Sequence, residues 1–154
     1  MIDVFDTKEL ISELVPHKGK MLLLDRVRDY DLKENSITTE VDISRDNMFY
    51  EEELGGVPIW VAFEYMAQSV SALSGLQGRT KGEKTKVGFI MSVSGFNADV
   101  PVFKLGETVV VNVLEKTRND NAVTFEGSAT VNGTLAVTAK LNTVEVDDSK
   151  NSLN

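Results

Sequence analysis

Apolar and polar residues follow two different periods along this chain. Between residues 36 and 43, apolar or β-branched residues alternate with polar ones, which predicts a half-buried strand. From about residue 58 to 76, apolar and small residues continue over helical length and predict one long helix, ended by Gly75 and Gly78. Further β segments are predicted at roughly 21–29, 87–96, 108–116, 123–131 and 135–146.

The order of these elements predicts a single α+β domain covering residues 1–154. A short amphipathic helix is expected at about 7–14, because Asp6-Thr7 is followed by an acidic residue and then by apolar residues at helical spacing. One long helix against five or six mostly antiparallel strands is a layered arrangement of this class. The remaining polar segments are expected to form a loop at 44–57 and a frayed tail from about residue 147.

Composition narrows the function classes. A formal net charge of −8 argues against nucleic-acid binding, which usually needs a basic face. The absence of cysteine excludes disulfides and cysteine-ligated metals and is compatible with the cytoplasm, the expected location. No apolar stretch is long enough to span a bilayer, so no membrane association is expected. One basic group of side chains is either a docking site or a solvated loop: Arg79, Lys81, Lys84 and Lys86.

Two titratable residues are candidates for chemistry. Glu64 lies among apolar residues of the predicted helix, where a carboxylate is costly to bury unless it is paired or has a task. His17 is the single histidine and precedes an apolar strand. Together they could form an acid–base pair. The alternatives are that His17 braces its loop and that Glu64 pairs with a strand cation such as Arg26.

Two motifs resemble those of a known family. The run Pro16-His17-Lys18-Gly19-Lys20-Met21-Leu22-Leu23-Leu24-Asp25-Arg26-Val27 is similar to the opening of the β-hydroxyacyl-acyl-carrier-protein dehydratases of fatty acid synthesis. Glu64-Tyr65-Met66-Ala67-Gln68 resembles their helix motif. The helix start at Trp60 and residues 138–144 resemble more closely a divergent branch, the predicted 3-hydroxyacyl-carrier-protein dehydratases of aryl polyene biosynthesis clusters. The resemblance covers roughly residues 12–146. It implies the hot-dog fold, in which a curved, mostly antiparallel sheet of five or six strands wraps one long central helix.

One departure concerns the catalytic histidine of the fatty acid enzymes, which begins a His-Phe-Pro-Gly motif ahead of the helix glutamate. Tyr50 stands at the corresponding position here, and the loop around it contains no histidine. Either His17 has taken over the role of the base or the chain has lost dehydration. The divergent branch shares this layout, which favours the first alternative, that His17 has taken over as the base. The expected catalytic residues are therefore His17 and Glu64.

The resemblance implies dehydration of 3-hydroxyacyl thioesters on acyl carrier protein to the trans-2-enoyl form, in fatty-acid-like or polyene biosynthesis, without a metal or organic cofactor. The expected partners are acyl carrier protein, with its phosphopantetheine-linked acyl chain, and a second hot-dog subunit, identical or different. Gln68 is expected to orient Glu64 or to serve in packing. The helix start at Pro58, Ile59 and Trp60 is expected to offer backbone N–H groups to the thioester oxygen. Two alternatives remain, a non-catalytic subunit of a heteromeric dehydratase and an acyl thioesterase.

Overall fold

The computed structural model describes residues 5–81 and 86–147, and this part of the chain forms two α-helices and eight strands. The elements are, in order, α1 (Lys8–Ile11), β1 (Arg26–Asp31), β2 (Ser36–Asp42), β3 (Gly56–Pro58), α2 (Ala62–Lys81), β4 (Lys86–Ala98), β5 (Val102–Lys104), β6 (Thr108–Asn119), β7 (Ala122–Val131) and β8 (Thr134–Asp147). Two 3₁₀ turns, Gly19–Met21 and Ile59–Val61, precede β1 and α2 respectively.

Six of the strands form one antiparallel sheet in the order β1-β2-β6-β7-β8-β4, and α2 packs against it. Inward-facing side chains alternate along β2, β6 and β7, as in β6, where Val109, Val111 and Val113 are fully buried. A long helix on a six-stranded antiparallel sheet is the predicted hot-dog arrangement, and this prediction is confirmed. Within the described residues, no helix combines the length and apolar character needed to cross a membrane.

The central helix starts and ends later than predicted. Pro58 ends β3 instead of occupying the first helical position, and a 3₁₀ turn separates it from Ala62. At the other end, α2 continues through both glycines to Lys81. A Cβ atom on Gly75 would lie 2.3 Å from the backbone oxygen of Leu14. This glycine therefore permits close contact between α2 and the segment after α1, and it does not end the helix.

The first strand begins at Arg26, later than predicted. Residues 22–24 are buried, but three of their backbone groups bond to side chains instead of to a neighbouring strand. Lys8 Nζ donates to the carbonyl oxygens of Leu22 and Leu24 at 3.0 and 3.1 Å. Buried backbone groups need hydrogen-bond partners. Side chains that reach this segment therefore replace the ladder of a strand.

The N-terminal helix is shorter than the predicted 7–14. The side chain of Thr7 caps it by accepting a hydrogen bond from the N–H of Leu10 at 3.3 Å. Beyond the helix, Lys18 Nζ donates to the carbonyl oxygens of Ser12 and Val15. These bonds hold Lys18, the residue after His17, against the end of α1.

The predicted loop at 44–57 contains the start of a strand. Gly56 begins β3, which pairs with β5 in a separate two-stranded sheet. A Cβ atom on Gly56 would lie 1.9 Å from the backbone oxygen of Phe103. Only glycine permits so close a pairing, and this small sheet fixes where the chain enters α2.

Arg79, from the predicted basic group, makes contacts within the chain. Its guanidinium lies 3.4 Å from Glu13 and 5.8 Å from the ring centre of Phe5. These contacts brace the N-terminal segment against α2. The rest of the basic group (the side chains of Lys81, Lys84 and Lys86) and the predicted frayed tail beyond Asp147 lie outside the described part of the chain.

Candidate active site

His17 and Glu64 lie next to each other in a single chain. His17 Nε2 is 3.8 Å from Glu64 Oε1, and the two side chains are 25% and 29% exposed. Glu64 is on the first turn of α2, while His17 is in the loop between α1 and the 3₁₀ turn Gly19–Met21. The distance exceeds that of a direct hydrogen bond. Both groups are therefore open to a third molecule that approaches them from solvent.

The two nitrogens of the His17 ring have different surroundings. Nε2 faces Glu64. Nδ1 is buried and has no hydrogen-bond partner among the described residues. A substrate that enters beside Glu64 therefore meets Nε2.

Gln68 was predicted to orient Glu64 or to serve in packing, and its side chain bonds to the backbone of another segment instead of to Glu64. Its side chain is 1% exposed, and both ends of the amide bond to the backbone of the segment after His17. Nε2 donates to the carbonyl oxygen of Met21, and Oε1 accepts from the N–H of Leu23, both at 2.8 Å. The helix that carries Glu64 is thus fastened to the segment that carries His17.

An apolar cavity of about 230 Å³ adjoins Glu64. Three aromatic side chains form one wall, since the ring centre of Trp60 lies 5.4 Å from that of Phe49 and 6.5 Å from that of Phe63. Met21, Met48 and Trp60 are about half exposed at its mouth. The lining residues are Met21, Leu23, Met48, Phe49, Trp60, Phe63 and Glu64.

A second, larger cavity of about 680 Å³ shares Leu23 and Met48 with the first. Its lining contains charged residues of both signs, the cations Lys8, Lys18 and Lys20 and the carboxylates of Glu9, Asp25, Asp42 and Asp46. A charged cleft and an apolar cavity therefore lie on either side of Leu23 and Met48.

The helix start contributes less than predicted to an oxyanion site. The N–H of Ile59 donates to the carbonyl oxygen of Pro101 at 3.0 Å, so it is already occupied. Pro58 has no N–H to offer. Trp60 instead contributes its ring to the cavity wall. The prediction that Ile59 presents a free N–H to substrate is therefore wrong.

Arg26 does not pair with Glu64, which was the alternative to a catalytic role for that carboxylate. It donates to Glu40 at 2.6 Å and to both carboxylate oxygens of Asp42 at 2.9 and 2.7 Å. The hydrogen bonds from Arg26 hold the pKa of Asp42 below its ordinary value. The guanidinium thus joins β1 to β2, and Glu64 has His17 as its neighbour.

Tyr50 is the residue that the resemblance to the fatty acid enzymes puts, counting back from Glu64 without gaps, at the position of their histidine. It is half-buried against the core, and its N–H donates to the carbonyl oxygen of Asn47 at 3.1 Å. The neighbouring residues Met48 and Phe49 line the cavity, which sequence reasoning missed. Their apolar character between the polar residues 44–47 and the acidic run 51–53 was the available signal.

Comparisons with known proteins agree with this geometry. A family model described as ApeP-like, ApeP dehydratase, matches residues 9–154, so the chain belongs to the ApeP-like dehydratase family. Among curated relatives, 3-hydroxyacyl-[acyl-carrier-protein] dehydratase FabZ of Aliarcobacter butzleri is 28% identical over 152 residues, covering 96% of this chain and 99% of the relative. FabZ of Cereibacter sphaeroides is 28% identical over 135 residues, covering 86% and 85%.

Two solved structures are similar in fold. The dehydratase heterocomplex ApeI:P from Xenorhabdus doucetiae matches with a TM-score of 0.82 and 26% identity, covering 93% of this chain and 95% of that chain. A hypothetical thioesterase from Streptococcus pneumoniae with coenzyme A matches with a TM-score of 0.62 and 10% identity, covering 79% and 84%. At that identity the second likeness is one of fold alone.

Proposed function

We propose that this ApeP-like dehydratase removes water from 3-hydroxyacyl thioesters carried on acyl carrier protein and forms the trans-2-enoyl thioester. The observation that carries the proposal is the approach of His17 Nε2 to within 3.8 Å of Glu64 Oε1 beside an apolar cavity. Removing a proton from C2 and hydroxide from C3 requires a base and an acid side by side. The FabZ relatives, whose names state this reaction, support the same chemistry.

In the proposed reaction, His17 Nε2 takes the proton from C2, and the C–H electron pair forms the double bond between C2 and C3. Glu64, in its protonated form, gives its proton to the C3 hydroxyl, and the C3–O bond breaks to release water. The products of this step are an imidazolium and a carboxylate 3.8 Å apart. Transfer of the proton from Nε2 back to Oε1, directly or through one water, restores the starting state.

The two cavities, which have Leu23 and Met48 in common, support a carrier-bound substrate. The apolar cavity with its aromatic wall fits a hydrocarbon acyl chain, because burying apolar surface is favourable. The larger cleft, lined in part by Lys18 and Lys20, offers polar groups to the phosphopantetheine arm. In this arrangement the thioester would lie where the two linings meet, at Leu23 and Met48, with Glu64 in the wall of the smaller cavity.

A second candidate function is that of a partner subunit in a heteromeric hot-dog dehydratase. The fold match to the ApeI:P heterocomplex favours it, as does the loop at 44–57, which holds no histidine. The half-exposed Met21, Met48 and Trp60 form an apolar rim that a second subunit would cover.

The mass of a carrier-bound 3-hydroxyacyl substrate after incubation with the chain alone separates these functions. Loss of one water with the thioester retained is the expected result. Free acid would assign a thioesterase, and an unchanged substrate would favour the partner-subunit role. His17→Ala should abolish the loss of water, while Lys33→Ala, an exposed change in the β1–β2 turn, should leave it unchanged.

A further inference from the structure

We infer that Gln68 is a positioning residue that sets the place of His17 relative to Glu64. The inference rests on the proposed function, in which those two side chains act together on one substrate. Gln68 lies one helical turn after Glu64, so both project from the same side of α2. Glu64 faces the cavity, whereas Gln68 is buried beneath it and bonds to the neighbouring segment.

Both polar ends of the Gln68 amide are used. The NH₂ group donates to the carbonyl oxygen of Met21 and the amide oxygen accepts from the N–H of Leu23, each at 2.8 Å. In the described part of the chain, these are the side-chain hydrogen bonds that join α2 to residues 16–25. Gln68 thus holds this segment at two points, one on each side of Leu22.

The segment needs such an anchor because residues 22–24 belong to no strand, and the backbone bond from Asp25 N–H to Glu40 of β2, at 2.9 Å, comes only at its end. Its backbone groups are buried, and each would cost about 1–3 kcal/mol if left without a partner. Lys8 supplies bonds from α1, at Leu22 and Leu24. Gln68 supplies those from α2, the helix that also carries Glu64.

The anchor is rigidly connected to His17. Between them lies the 3₁₀ turn Gly19–Met21, in which the N–H of Met21 donates to the carbonyl oxygen of Lys18 at 3.1 Å. Lys18 is itself fixed to the carbonyl oxygens of Ser12 and Val15. His17 therefore lies between two fixed points, and loss of the Gln68 bonds would leave the second one held to α1 by Lys8 but no longer joined to α2.

The amide is the side chain that this arrangement requires. A carboxylate could accept from Leu23 but could not donate to Met21, and methionine would fill the space without either bond. Gln68→Met therefore removes the anchor while keeping volume. Met66→Val is the control, since Met66 lies on the same helix but packs against Gly127 on the sheet side.

The test uses the fact that His17 is the single histidine of the chain, so its imidazole NMR signals need no separate assignment. In Gln68→Met, the His17 signals should shift and broaden, and kcat should fall at least tenfold with a smaller change in KM. Both measurements are made at a temperature where each variant is fully folded. Met66→Val should keep the His17 signals and kcat close to those of the parent chain.

If Gln68→Met does not fold, Gln68→Asn gives the same measurements, because its shorter amide can reach only one of the two backbone groups. Unchanged His17 signals in a folded variant would overturn the inference, as would an equal change in Met66→Val. If the parent chain shows no dehydration, the proposed function fails, and the NMR comparison still decides whether Gln68 positions His17.

Discussion

Replacing Gly75 with alanine tests the close contact between α2 and the segment that leads to His17. The new Cβ would lie 2.3 Å from the Leu14 oxygen, and ordinary contact begins at 3.4 Å, so the helix and the segment must separate by about 1 Å. Overpacking of this kind costs about 1–3 kcal/mol, and the better helix propensity of alanine returns about 1 kcal/mol. The expected net loss of stability is about 0–2 kcal/mol.

For a chain of this length, that loss should lower Tm by up to about 8 °C, measured by calorimetry or circular dichroism. Because Leu14 lies shortly before His17, the same displacement should move the imidazole and reduce kcat by up to about a hundredfold. Ser74→Ala, which raises helix propensity at the neighbouring half-buried position, is the control and should preserve both values. A Gly75→Ala chain with a raised Tm and full turnover would show that helix propensity outweighs the contact, and the reasoning would be refuted.

Glu64→Gln should lower turnover by about a hundredfold or more while the fold is kept, because the amide has no proton to give; full activity would remove Glu64 as the acid. If His17 is the base, ¹⁵N chemical shifts should show its resting proton on Nδ1, and a proton resting on Nε2 would make the imidazole a donor instead. Asp42→Asn should cost more stability at pH 7 than at pH 3. The hydrogen bonds from Arg26 lower the pKa of Asp42 in the folded chain. The contribution of Asp42 to the free energy of unfolding is therefore fully present above the unfolded pKa of about 3.9 and is lost as pH falls through the folded pKa. Equal losses of Tm at both pH values would contradict this. Light scattering should give a dimer, because β1 and β4 leave two sheet edges, and a 17.0 kDa particle at micromolar concentration would contradict that expectation.

The sequence by itself determined the order of the helices and strands and identified the two residues suited to acid–base chemistry. Alternation in 36–43 and in the later strands follows from burial on one face of a sheet, and the structure keeps it, with Ile37 and Val41 buried. The acidic residue in an apolar helix and the single histidine were also evident, because a carboxylate among apolar residues is unusual in any fold.

Only the tertiary structure decided which groups satisfy the backbone and which side chains meet. Residues 22–24 are as apolar as a strand, but side chains of Lys8 and Gln68, distant in sequence, take their hydrogen bonds. Gly75 has the sequence features of a helix end, yet α2 continues through it to Lys81. The residue is glycine because Leu14 packs where its side chain would be. The period of apolar residues indicates which side chains are buried. The packing of the folded chain decides which distant residues become hydrogen-bond partners. The approach of His17 to Glu64 therefore became visible only in the folded chain.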